Sequence, residues 1–338
     1  LKTTTDSRLV LAPFKGLTNK VYRNAFANHF GGFEEYYAPF VSGVGTGRIN
    51  PSKLKDVLPR AENVAPVVPQ FISTDAREII LLAETLHEHG YGHINWNLGC
   101  PFARIAEKYR GCGILPYPEM LDRLLGEIFA NGIPLKLSIK TRLGYKQPEE
   151  IRQVLPVLNN YPIHHIIMHA RTGKQVYRGE VNAAAFAECL SMSKHPLIYN
   201  GDVYTLSRYH AFRAMFPETV TWMLGRGALM NPFLAMEIKG ITFAEDQKRK
   251  TIAAFHQELY TNAELPIPQE KKHLGWMKAV WYYMAGLFAG GEEVFSRIKK
   301  APNQDAYRNA VSYALQRPFA ADAELESYFR HSIKHTGS

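Results

Sequence analysis

The feature that most constrains this chain is a repeated alternation. A short apolar run is followed by a longer segment of helical periodicity, and the unit recurs along the first two thirds of the sequence. Strand-like runs fall at 8–13, 34–38, 67–71, 93–97, 135–143, 165–169, 196–200 and 220–224. Helical patterns between them fall at 19–29, 118–130, 149–158, 183–193 and 206–215. Another opens on Ser73-Thr74-Asp75, with Glu78 placed as in a capping box, and ends at Gly90. Eight strand–helix steps within about 240 residues predict an α/β fold, a (β/α)8 TIM barrel. A doubly wound open sheet has the same periodicity, so the pattern alone leaves it open.

Near residue 244 the alternation stops. Helical patterns follow at 246–262, 271–288 and 304–315, with Pro266 and Pro268 marking a break. The expected division is a barrel over 1–243 and a small C-terminal helical domain over 244–338. Trp276, Trp281, Tyr282, Tyr283 and Phe288 recur at helical spacing and read as core.

The net charge is +9. Residues 1–244 hold 27 Lys+Arg against 20 Asp+Glu, and residues 245–338 hold 13 against 11, so the excess sits mainly on the expected barrel. Such an excess suits a polyanionic partner, because neutralising phosphates releases counterions. No apolar run reaches the roughly 18 residues of a membrane helix, and no secretory leader is visible, so the expected location is cytoplasmic. Three cysteines, Cys100, Cys112 and Cys189, show no zinc spacing and fit a reducing compartment.

In a (β/α)8 barrel the chemistry sits where strands end. The strand ends here carry Pro13, Phe14 and Lys15; Gln70; Asn97 through Pro101; Lys140 and Arg142; His169 and Arg171; Asn200, Gly201 and Asp202; and Gly225 and Arg226. Period two puts Lys140 and Arg142 on one face. A pair of buried cations is costly unless an anion joins them. Gly225-Arg226-Gly227 follows the eighth strand, where barrels often bind phosphate. Cys100 lies between Gly99 and Pro101 in a tight turn; the roles open to it are nucleophile, acid or inert packing. Cys112 and Cys189 read as buried structural cysteines. The segment beyond Cys100 carries Arg104, Lys108 and Arg110 with one acid, Glu107, which suits a phosphate backbone or a merely solvated loop.

At these residues the chain resembles the tRNA-dihydrouridine synthases. The matching pieces are Ala12-Pro13-Phe14, Gln70, Asn97-Leu98-Gly99-Cys100-Pro101, Lys140-Thr141-Arg142-Leu143-Gly144, His169-Ala170-Arg171-Thr172, Gln175-x-Tyr177-x-Gly179, Asn200-Gly201-Asp202 and Gly225-Arg226-Gly227-Ala228. Phe14-Lys15 departs from the family's usual Met-led pair, and Cys112 interrupts a glycine-rich segment. The resemblance implies a monomeric enzyme that binds FMN, takes electrons from NADPH and reduces a uracil in tRNA. Pro13, Phe14, Lys15 and Gln70 would contact the flavin ring, and Lys140 and His169 its pyrimidine edge. Asn200, Gly201, Asp202, Gly225 and Arg226 would hold the phosphate. Asn97, Arg142 and Arg171 would serve the uracil, and Cys100 would donate a proton as general acid. Two other readings compete: a small-molecule flavoenzyme like dihydroorotate dehydrogenase, and a non-catalytic RNA-binding protein on a degenerate barrel.

Overall fold

A computed structural model describes residues 7–262 and 270–332. The Pro266–Pro268 break lies outside them. Nine strand segments form one sheet: β1 Arg8–Leu11, β2 Glu35–Tyr37, β3 Val67–Val68, β4 Gln70–Phe71, β5 His93–Leu98, β6 Lys136–Gly144, β7 Ile166–Thr172, β8 Leu197–Asn200 and β9 Thr221–Leu224. Their order is β3-β2-β1-β9-β8-β7-β6-β5-β4. The pairings of β2 with β3, and of β4 through β9 in turn, are parallel.

The two ends of that order, β3 and β4, are consecutive in the chain and separated only by Pro69. A proline has no N–H for a ladder. The run 67–71, expected as one strand, therefore splits. Its first half pairs with β2 and its second half with β5. This makes nine segments from eight strand positions, and the sheet closes on itself. The fold is a TIM barrel with added C-terminal helices, not an open doubly wound sheet.

Helix starts follow local chemistry. Asn19 caps Lys20–His29 by accepting from Tyr22 N, and Asp75 caps Ala76–Glu88 by accepting from Arg77 N and Glu78 N. Contacts divide the chain into two compact units. One holds Glu35–Gly201 and Phe216–Met223; the other holds, of the described residues, those up to Glu34, Asp202–Met215 and those from Leu224 on.

In the second unit, Phe26 and Phe30 of the first helix pack against Phe255 of Glu245–Asn262, with ring centroids 6.1 and 4.8 Å apart. The further helices are Glu270–Met284, Gly291–Lys300, Gln304–Gln316 and Asp322–Ser332. Gly291–Lys300 and Asp322–Ser332 were not expected; the first opens on Gly290 in the left-handed region, without a capping side chain. Trp281 and Phe288 are buried, as core aromatics should be, and Trp276, Tyr282 and Tyr283 are half-buried. No helix among the described residues is long and apolar enough to cross a membrane.

Candidate active site

The first unit builds a cluster around the end of β5. Asn97 is the penultimate residue of that strand. Its Oδ1 accepts from Gly99 N at 3.0 Å and from Cys100 N at 2.9 Å. Arg142 Nε donates to Gly99 O at 2.9 Å. Cys112 donates to Cys100 O through its N at 3.1 Å and its Sγ at 3.2 Å. All four backbone polar groups of Gly99 and Cys100 are thus fixed, and the thiol sits on an immobilised turn.

Gly111 completes the seat. Its φ is +56°, and a Cβ there would stand 2.6 Å from Cys100 O. Only glycine satisfies both demands.

Arg142 does more than hold Gly99. Its Nη1 donates to Thr172 O, at the end of β7, at 2.8 Å and to Val176 O, in the loop after it, at 2.7 Å, and its guanidinium lies 5.7 Å from the Tyr177 ring centre. One buried side chain, 3% exposed, ties the Cys100 turn to the loop after β7. Its bonds run to carbonyls, not to an anion.

Lys140 keeps some accessible surface. Its Nζ donates to Asn200 Oδ1 at 3.0 Å, and Asn200 Nδ2 donates to Met223 O at 2.8 Å. Desolvation, and then the nearby Arg142 charge, lower the Lys140 pKa to about 7. Neither cation meets a carboxylate among the described residues. Burial pushes the Cys100 thiol up, opposed by a backbone hydrogen bond from Phe102 and by the charges of Arg142, Arg104 and Lys140. Cys112 is pushed up to about 12 by burial. Cys189 is likewise buried.

Beneath this cluster runs a chain of buried polar side chains. Asn97 Nδ2 donates to Gln70 Oε1 at 2.8 Å, Gln70 Nε2 to Asn95 Oδ1 at 2.7 Å, and Asn95 Nδ2 to Ser138 Oγ at 2.8 Å. Asn95 and Ser138 escaped sequence reading, because one polar residue inside a strand run gives no positional signal. His169 pairs with Arg142 across the β6–β7 ladder and with Asn200 across β7–β8. Arg171 is fully buried; its Nη2 donates to Gly179 O at 2.6 Å, and its Nη1 lies 3.4 Å from His169 Nε2.

The second unit holds the remaining expected residues. Arg226 Nη2 meets Asp202 Oδ1 at 3.1 Å, with both side chains 5% exposed. The guanidinium carbon lies 4.2 Å from the Phe329 ring centre. Gly225 precedes the short helix Arg226–Met230, and Phe14 would stand 3.4 Å from a Cβ on it. Pro13 and Phe14 are half-buried and Lys15 is exposed, in a turn closed by Leu17 N and Thr18 N on Phe14 O. Gly201, in the first unit, has φ +155°, and a Cβ would meet Val181 Cγ1 at 2.8 Å.

The family model for "Dihydrouridine synthase (Dus)" matches residues 10–328. The chain belongs to that family. It is accordingly a flavin-dependent oxidoreductase. A relative from Cupriavidus necator named tRNA-dihydrouridine(16) synthase is 29% identical over 70% of this chain and 74% of its own length. One of the same name from Neisseria meningitidis serogroup B is 26% identical over 90% and 94%. Pasteurella multocida tRNA-dihydrouridine synthase B is 24% identical over 80% and 83%. Among solved structures, the old yellow enzyme homologue from Zymomonas mobilis shares the fold with a TM-score of 0.50, 11% identity, and 70% and 90% coverage.

The donor sets fit a flavin. Lys140 meets no carboxylate among the described residues, which suits a ring edge that becomes negative on reduction. Arg226, buried with Nη2 on Asp202, offers a forked cation next to Gly225, which suits a phosphate.

Proposed function

We propose that this protein reduces the C5–C6 double bond of a uridine in tRNA to 5,6-dihydrouridine, with FMN as the flavin and NADPH as the reductant. The observation that carries this reading is the Cys100 thiol, held neutral by burial on a turn whose every backbone polar group is fixed. A neutral, immobilised thiol is suited to give a proton, not to attack.

A bound FMN would supply the hydride for uracil C6, with NADPH as the source of its electrons. Cys100 Sγ–H gives its proton to C5. The thiolate left behind is stabilised by Arg142, Arg104 and Lys140, the same charges that oppose the burial shift, until water returns a proton. Lys140, aimed by Asn200, and His169 serve the flavin's pyrimidine edge. Gln70 and Pro13–Lys15 serve its ring. Gly201, Asp202, Gly225 and Arg226 serve its phosphate, with Asp202 fixing one edge of the guanidinium.

Asn97 and Arg142 serve the uracil by holding the Cys100 turn, as positioning residues. Arg171 steadies the loop beside His169. Because ring atoms of a stacked base are out of reach, the uracil is extruded before reaction. The net charge of +9 suits the polyanionic substrate. Residues 1–243 carry the chemistry and 244–338 grip tRNA, in a monomer.

The test compares substrates. Purified flavin-loaded protein oxidises NADPH faster with unmodified tRNA than with free uridine or dihydroorotate, and dihydrouridine is mapped first at position 16, the position in two relatives' names. A preference for the free pyrimidines overturns the reading. Arg226→Ala lowers flavin content; unaltered content rejects the phosphate assignment.

A further inference from the structure

Three aromatic side chains among the described residues are exposed, and all three follow Cys100 closely: Phe102 at 47%, Tyr109 at 47% and Tyr117 at 45%. Every other described Phe, Tyr or Trp is buried or half-buried. Exposure of large rings in one short stretch needs a reason, because burying them is normally worth more than leaving them in water.

The stretch is anchored to the proposed acid. It leaves at Cys100 and returns to it, since Cys112 donates twice to Cys100 O. Arg104, on the short helix Ala103–Ala106, acts electrostatically on the Cys100 thiol. Tyr109 has φ +56°, a region that bulky L-residues rarely occupy. Its ring stands edge-on to Tyr117, with centroids 5.1 Å apart and planes at 78°. A tyrosine held in a disfavoured backbone state while burying little is a mark of function.

Charge identifies the occupant. Arg104 and Lys108 are exposed and Arg110 half-exposed, and none pairs with a carboxylate among the described residues. The one acid in the stretch is Glu107. Rings interleaved with unpaired cations suit single-stranded nucleic acid, whose bases stack and whose phosphates need neutralising.

We propose that Phe102, Tyr109 and Tyr117 form a stacking surface for the unpaired nucleotides flanking the extruded uracil, with Arg104, Lys108 and Arg110 meeting their phosphates. The proposal rests on the tRNA reading above. Extruding a base leaves its neighbours without a stacking partner, which is unfavourable. Rings beside the acid return such a partner to the neighbours at the point where the uracil leaves the stack. The surface therefore selects targets within unpaired loops.

Phe102→Ala, Tyr109→Asn and Tyr117→Ala are tested for binding to an unmodified tRNA transcript by fluorescence anisotropy. Asparagine tolerates the left-handed backbone, so Tyr109→Asn removes the ring without added strain. Flavin content reports folding. Each ring removed weakens binding about tenfold, while Tyr109→Phe and Tyr117→Phe bind as wild type. Replacing Arg104, Lys108 and Arg110 by Gln flattens the log–log salt dependence of binding by about 2. Wild-type affinity in all three ring variants, with dihydrouridine still formed by wild type, overturns the surface and spares the tRNA reading. Wild-type protein that forms no dihydrouridine in tRNA overturns that reading itself.

Discussion

Two clusters of cations occupy strand ends in this molecule, and they are built on opposite principles. Around β5 and β6, Lys140 and Arg142 meet amide and carbonyl oxygens and, among the described residues, no carboxylate. Beyond β8 and β9, the buried Arg226 is matched by the equally buried Asp202. A paired cation holds its charge regardless of what binds. An unmatched one is costly until an anion arrives, and the Lys140 pKa near 7 is the visible sign of that cost. The first cluster is therefore arranged to respond to ligand charge, and the second to persist through it.

The largest expected effect breaks the second cluster. Asp202→Asn leaves Arg226 charged, buried and without its acid, which should lower stability by about 3–5 kcal/mol in urea unfolding of the flavin-free protein. Added inorganic phosphate should recover part of it. A loss under about 1 kcal/mol, the range of an exposed pair, would erase the contrast between the clusters.

Next comes Arg142→Lys. Lysine keeps the charge but lacks the fork that reaches Gly99 O, Thr172 O and Val176 O together. Turnover should fall about a hundredfold, the scale of a misplacement near 1 Å, with KM for tRNA little changed and flavin retained. A raised KM at unchanged turnover would make Arg142 a substrate contact.

A third effect concerns pH. A lysine whose folded pKa lies below its unfolded one weakens the fold while protonated. Flavin-free protein should gain stability as pH rises from about 7 toward the ordinary lysine range. Lys140→Met should flatten that rise. A rise that survives the substitution would show that Lys140 is not its source.

Much of this was legible in the residues. The alternation gave the barrel, and period two put Lys140 and Arg142 on one face. Pro69 was in plain sight, but its effect on sheet closure depends on which neighbour each half of the 67–71 run finds. The bonds of Asn97 and Arg142 to the Cys100 turn depend on a backbone path that no local pattern encodes. Gly111 and Cys112 became meaningful only when the chain was seen returning to Cys100. The exposed rings of Tyr109 and Tyr117 have the same composition as core aromatics, and only burial separates them.

The most direct test of the central claim is a single turnover. Flavin is reduced first, excess NADPH is removed, and unmodified tRNA is added without oxygen while flavin absorbance and dihydrouridine are followed together. Wild type should reoxidise as dihydrouridine appears, and Cys100→Ala, with flavin bound normally, should do so at least about a hundredfold more slowly. Equal rates in the two proteins would contradict the account.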